Sequence, residues 1–187
     1  MTAQKMLTRL GLFLMTALGT IVPFSLSTPA VQLADGTVWF VRPPRLLNAW
    51  NSRNEIRAWS ATYYFTLELP ENAGESLKQV TIVQKPSPDR IEFDLADSQV
   101  FMGERPNLGA PLAITATTDN PDSITLTLRE PVAPGQKVTI ALKPLENPDS
   151  PGTYLFGVTA FPDGQQAQGS FMGFGRLHFY GGGGDAF

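Results

Sequence analysis

The chain has no cysteine and a single histidine among its 187 residues. Without cysteine there are no disulfides, no thiolate metal sites and no cysteine nucleophile, so burial and hydrogen bonding alone must hold the fold. One histidine excludes a histidine-rich zinc or copper centre. It also leaves only His178 to serve a hydroxyl nucleophile as base, and no G-x-S-x-G elbow accompanies it. His178 falls inside an alternating run, where it reads as a surface or cross-strand residue. Lys and Arg nowhere form a block, which argues against a nucleic-acid partner, because such affinity rests on clustered cations. Beyond Leu33 no second long apolar run occurs, and no apolar residues recur convincingly at helical spacing.

What is present begins with the first thirty residues. Lys5 and Arg9 precede an apolar stretch, Leu10 to Leu26, which is followed by Ser27, Thr28, Pro29 and Ala30. This is the layout of a secretory signal peptide over 1–30, with cleavage expected after Ala30. The apolar stretch is short for a permanent span and is interrupted by Gly11, Gly19 and Pro23. Contact with a membrane is therefore expected only if the segment stays uncleaved. Its removal leaves 157 residues, one ordinary domain, with 12 Lys and Arg against 17 Asp and Glu, a net charge of −5. The chain is expected to be exported, to the periplasm or the outside of the cell.

The remainder reads as short strands. Sixteen prolines and 17 glycines punctuate runs rich in Val, Ile, Thr, Tyr and Phe. Tyr63, Phe65, Leu67 and Leu69 alternate with Tyr64, Thr66 and Glu68, the period of a half-buried strand. Further strands are expected at 37–41, 77–84, 90–95, 99–102, 112–118, 124–128, 137–142, 153–161 and 174–180. Clusters such as Asp119-Asn-Pro-Asp122 and Pro131-Val-Ala-Pro-Gly135 turn the chain between them. Residues 46–60 read as a long loop with a short helical turn, and 103–109 as a second loop. The spacing predicts an all-β, two-layer antiparallel sandwich over 31–180, with a flexible Gly-rich tail at 181–187. A closed barrel would read similarly, while parallel α/β lacks crossover helices.

Four stretches form a familiar set. They are Tyr64 to Pro70 with Ala73-Gly74-Glu75 and Val80 to Gln84; Pro131 to Gly135 with Val138 to Leu142; Asn147-Pro148 with Gly152 to Ala160; and Gly173 to Tyr180. Together they resemble the domain of unknown function 2808, a family of exported cyanobacterial proteins, over roughly 61–180. That resemblance implies an envelope setting and brings no activity with it. The run NPDSPGTYLFGV also resembles the late strands of bacterial surface immunoglobulin-like domains, which makes the expected sandwich immunoglobulin-like.

Candidate chemistry is sparse. Glu92 and Asp94 share one face of an expected strand, with Asp89 and Asp97 nearby. A carboxylate pair could serve a hydrolase, but alternation opposite Ile91, Phe93 and Leu95 is also what a solvated strand face requires. Trp39, Trp50 and Trp59 fall close together in sequence, among Arg42, Arg45, Arg53 and Arg57. Tryptophan faces stack on sugar rings and arginines recruit carboxylates or sulfates. The simpler reading puts Trp39 and Trp59 in the core. The expectation is a non-catalytic envelope protein, with no cofactor and no metal, that binds or assembles with an envelope protein or polysaccharide. The candidate contacts are Trp39, Trp50, Trp59, Arg53 and Arg57. The alternative is a carbohydrate-binding module using those tryptophans.

Overall fold

In a computed structural model the described residues are 31–32 and 36–181. The expected signal segment with its cut after Ala30, and the tail from 182 onward, lie outside them.

Strands β3 (Arg45–Asn51), β4 (Tyr63–Glu68), β6 (Phe93–Glu104), β7 (Asn107–Leu112) and β10 (Lys137–Pro144) form one sheet in the order β3-β4-β10-β6-β7. Strands β5 (Leu77–Gln84), β8 (Ile114–Asn120), β9 (Ser123–Val132), β11 (Gly152–Pro162) and β13 (Ser170–Phe179) form the other, ordered β13-β11-β5-β9-β8. All pairings within both sheets are antiparallel. A small third sheet joins β1 (Val31–Gln32), β2 (Thr37–Trp39) and β12 (Gln166–Ala167).

The order β3-β4-β10-β6 is the A-B-E-D sheet of an immunoglobulin domain, and β13-β11-β5 is its G-F-C sheet. Between the fourth and fifth of those strands the chain inserts β7, which widens the first sheet, and the β8–β9 hairpin, which widens the second. The expected immunoglobulin-like sandwich is therefore present, and widened.

Alternation builds the core as the sequence predicts. Tyr63, Phe65 and Leu67 of β4 and Val138, Ile140 and Leu142 of β10 face Val80 and Ile82, Leu126, Tyr154, Phe156 and Val158, and Leu177 and Phe179 of the opposing sheet. Each such side chain contributes about 1.5–3 kcal/mol on burial. The aromatic centre is edge-to-face: Tyr63 meets Phe93 at 5.7 Å, and Phe65 meets Phe156 at 5.8 Å. At the β3/β13 side the two sheets close on Gly175. A Cβ there would lie 2.7 Å from the Phe65 ring and 2.8 Å from Ala49 Cβ.

Several expectations need correction. Residues 46–60 are not one long loop, because 45–51 are β3, whose register shifts between Leu46 and Asn48. The bulge breaks the period of two that would have revealed the strand. The expected strands at 90–95 and 99–102 are one strand, β6, with an irregularity opposite Ala141/Lys143. Asp94 sits in that irregularity, its Oδ1 accepting from Ala96 N at 2.9 Å, rather than on a regular strand face with Glu92. The loop expected at 103–109 is the β6–β7 hairpin. Trp39 and Trp59 are not core: they are 43% and 73% exposed.

Candidate functional site

Strand directions bring the connections 52–62, 85–92, 119–122 and 145–151 to one end of the sandwich. The 52–62 segment is held there by Asn147, which is buried. Asn147 N donates to Ala58 O at 3.1 Å. Its Nδ2 donates to Arg53 O at 3.1 Å and Glu55 O at 2.7 Å, and its Oδ1 accepts from the Tyr63 hydroxyl at 2.8 Å. Burial pushes the Tyr63 hydroxyl pKa upward, keeping it a neutral donor. Glu55 also bridges to Tyr180, and Arg57 N donates to Pro148 O at 3.1 Å. Arg57 Nε pairs with Asp149 at 2.6 Å, and this pairing raises the guanidinium pKa.

The neighbouring loop is braced in the same way. Asp89 Oδ2 accepts from Ser150 N at 2.6 Å and from the Tyr154 hydroxyl at 2.9 Å. The Ser150 amide is the main reason that the Asp89 pKa is lowered, while burial and then Asp89 push Tyr154 up to about 12. On this rigid base Trp59 and Leu145 stand 73% and 55% exposed. At the same end of the sandwich, between the connections 85–92 and 119–122, lies a groove of about 440 Å³, floored by Ile91, Phe93 and Ile124 and rimmed by Arg90, Glu92 and Asp119. Arg90 and Glu92 are an ion pair at 2.7 Å.

Trp50 lies elsewhere, on the outer face of the first sheet. It is the register partner of Tyr64 and stacks on it at 4.4 Å and 16°. The β6–β7 hairpin bends back over this face. Gly103, at φ 82°, turns its carbonyl to the Thr139 hydroxyl at 2.8 Å. Thr66 and Thr139, which point outward, are buried beneath it. The tip delivers Arg105, whose guanidinium carbon lies 4.7 Å from the Trp50 ring centre and 4.9 Å from that of Tyr64. This aromatic pair is thus already capped by a cation.

The structure does not gather the three tryptophans into one platform. Trp39 belongs to the small sheet at the opposite end, Trp50 to a capped stack, and Trp59 to the braced loop. Arg53 and Arg57 accompany Trp59. Sequence reasoning missed Asn147, Leu145, Tyr64 and Arg105. Asn147 was visible only as a turn former, and nothing local marks Arg105 as reaching across a sheet. His178 is a cross-strand residue opposite Thr153, its Nδ1 2.9 Å from the Thr153 hydroxyl.

Residues 37–179 match the family described as "Protein of unknown function (DUF2808)". No curated protein matches the chain. Among solved structures, the chain is similar to the full-length major pilin SpaD from Corynebacterium diphtheriae, at 9% identity and TM-score 0.46, over 72% of this chain and 33% of the pilin. It is also similar to the collagen-binding domain of a Staphylococcus aureus adhesin, at 11% identity and TM-score 0.37, over 71% of this chain and 97% of that one. A third is the collagen-binding subdomain of the Enterococcus faecalis surface protein ACE, at 6% identity and TM-score 0.40, over 70% and 92%. None of these similarities bears on function.

Proposed function

The chain belongs to the DUF2808 family, and we propose that it is an exported, non-catalytic binding domain that holds another component of the cell envelope through the loop end carrying Trp59. One observation carries this reading. Trp59 is 73% exposed on a segment whose backbone is fixed by a buried asparagine. A large ring costs less to bind with when its backbone is already ordered, and tryptophan dominates many interface energies. Leu145 offers a second apolar anchor, and Arg53 and Arg57 add charge at the rim. Export rests on the sequence of residues 1–30.

A second reading has the same exposed ring stacking on a sugar, making the domain a carbohydrate-binding module. Trp59 favours it more than Trp50 does, since Tyr64 and Arg105 already pack on Trp50. The test is a crosslinked capture from the native envelope fraction with the tagged protein and its Trp59→Ala variant. A stoichiometric protein lost with Trp59→Ala supports the first reading, and a glycan lost with it supports the second. Capture that is unchanged in the variant, with folding confirmed by circular dichroism, overturns the loop end as the contact.

A further inference from the structure

The two outer faces of the sandwich are treated differently. That of the first sheet is covered by the β6–β7 hairpin and carries the ion pairs Arg45–Glu68 and Lys137–Glu104. No segment among the described residues folds over that of the second sheet. Its register sets Thr159, Thr81, Thr125 and Thr117 side by side across four strands. The next row holds Phe161, Gln79, Thr127 and Thr115. The Thr81 and Thr125 hydroxyls are 3.2 Å apart. On the β13 border Phe171 and Phe174 meet edge-to-face at 5.1 Å and pack over Gly157. Covering a strand glycine is a packing device in its own right, yet the two rings remain 57% and 41% exposed.

Cations bracket this neutral centre at both ends. At one end Lys85 Nζ stands 5.6 Å from the Phe174 ring centre, and Arg176 lies opposite Leu155, whose carbonyl accepts from Lys85 N at 2.8 Å. At the other end Lys78 Nζ donates to Arg129 O at 3.0 Å, and Arg129 is the next outward residue of β9 after Thr127. The two ends are about 23 Å apart, from seven residues of strand at roughly 3.3 Å each. Among the described residues the ion pairs use Arg45, Arg57, Arg90 and Lys137, so none of these four bracketing cations is matched to a carboxylate. Asp119 reaches the face, engaged with the Thr125 hydroxyl at 3.2 Å. Asp122 and Asp89 line a hollow with Lys85 at the Lys85/Arg176 end. On a chain of net charge −3 the four cations are therefore a local concentration of positive charge that is fuller at the Lys78/Arg129 end.

We propose that the outer face of β13-β11-β5-β9-β8 binds an acidic polysaccharide laid along the strands. Its carboxylate or sulfate groups meet the cation pairs Lys85/Arg176 and Lys78/Arg129. Its hydroxyls exchange hydrogen bonds with Thr81, Thr115, Thr117, Thr127 and Thr159, which are exposed or half-buried and can both donate and accept, and its ring faces rest on Phe171 and Phe174. An anionic bilayer would satisfy the cations equally, but it would favour an apolar centre over one made largely of threonines. This surface shares Lys85 with the connection 85–92 at the loop end, but it does not include Trp59 and does not depend on it.

The test measures affinity of the protein for immobilised dextran sulfate and alginate, for unmodified dextran, and for phosphatidylcholine vesicles containing phosphatidylglycerol. The acidic polymers should bind, weaken as salt is raised, and leave dextran unbound. Lys85→Gln/Arg176→Gln and Lys78→Gln/Arg129→Gln should each weaken binding about tenfold, a loss of about 1.4 kcal/mol. The charge-matched Arg42→Gln/Lys143→Gln variant and Trp59→Ala should bind as the parent does. Equal weakening by the charge-matched variant would show an effect of net charge alone and overturn the proposal. So would full binding by both paired variants, or binding to the vesicles with none to the polymers.

Discussion

The Asn147 side chain fixes the loop that carries Trp59 through three hydrogen bonds. Its replacement by alanine strips the buried Tyr63 hydroxyl of its acceptor and frees the carbonyls of Arg53 and Glu55. Leaving such groups unpaired costs about 1–3 kcal/mol. Asn147→Ala should therefore lower the unfolding free energy by about 2–3 kcal/mol in urea titrations and loosen the loop that carries Trp59. Asp89 contributes to the acid response. Its pKa is lowered in the folded protein, so its stabilisation is present above the unfolded value of about 3.9 and is lost as pH falls through the lower folded value. The acid limb of a stability–pH profile should be flatter in Asp89→Asn. Tyr154 works at the other extreme. With its pKa raised to about 12, its contribution is complete below about pH 10 and disappears as pH climbs through 12. Ultraviolet titration of phenolate should show it ionising late. Neither brace was legible in the sequence: Asn147-Pro148 announces a turn, but its partners lie more than 80 residues away.

Among the strands, legibility followed the regularity of the alternation. In β4 the residues read as one face, Tyr63, Phe65 and Leu67, are all buried, and β5 and β10 lie where strands were expected at 77–84 and 137–142, although β5 breaks the period between Leu77 and Gln79. β3 was obscured by a bulge and by an outer face carrying Trp50, which is packed by a hairpin from elsewhere. β6 and β7 were obscured for a related reason: the sequence shows Gly103 and Pro106 as turn residues without showing that the turn folds back over the sheet. That hairpin can be tested directly. Arg105→Ala should cost about 0.5–1 kcal/mol, the worth of an exposed cation–π contact, and should shift the fluorescence of Trp50. At the opposite closure, Gly175→Ala forces a methyl against Phe65 and Ala49. It should destabilise by about 1–3 kcal/mol, as overpacking does, measured as a lower urea midpoint with unchanged slope.

For the whole molecule, the abundance of turns and of β-forming residues specified an all-β antiparallel sandwich, and the topology agrees. What composition could not show was which face stays open, because the strand register decides that. Threonines 81, 117, 125 and 159 are scattered through 79 residues of sequence and become one row only when four strands pair. Such pairing also closes large loops before it is rewarded, so refolding from urea should take milliseconds to seconds by stopped-flow fluorescence.

The chain enters the sandwich at β2, beside β12, and leaves after β13 beside Asn54, whose carbonyl accepts from Tyr180 N at 2.8 Å. These points lie at opposite ends of the sandwich. A pull on residues 36 and 181 would peel away the small β1-β2-β12 sheet first. The load would then run along β3 and β13 in opposite directions, sliding each lengthwise past β4 and β11. Hydrogen bonds loaded in that way must give together, whereas a strand lifted from one end releases them one at a time. A pull applied across the two ends would therefore be resisted in shear rather than by unzipping.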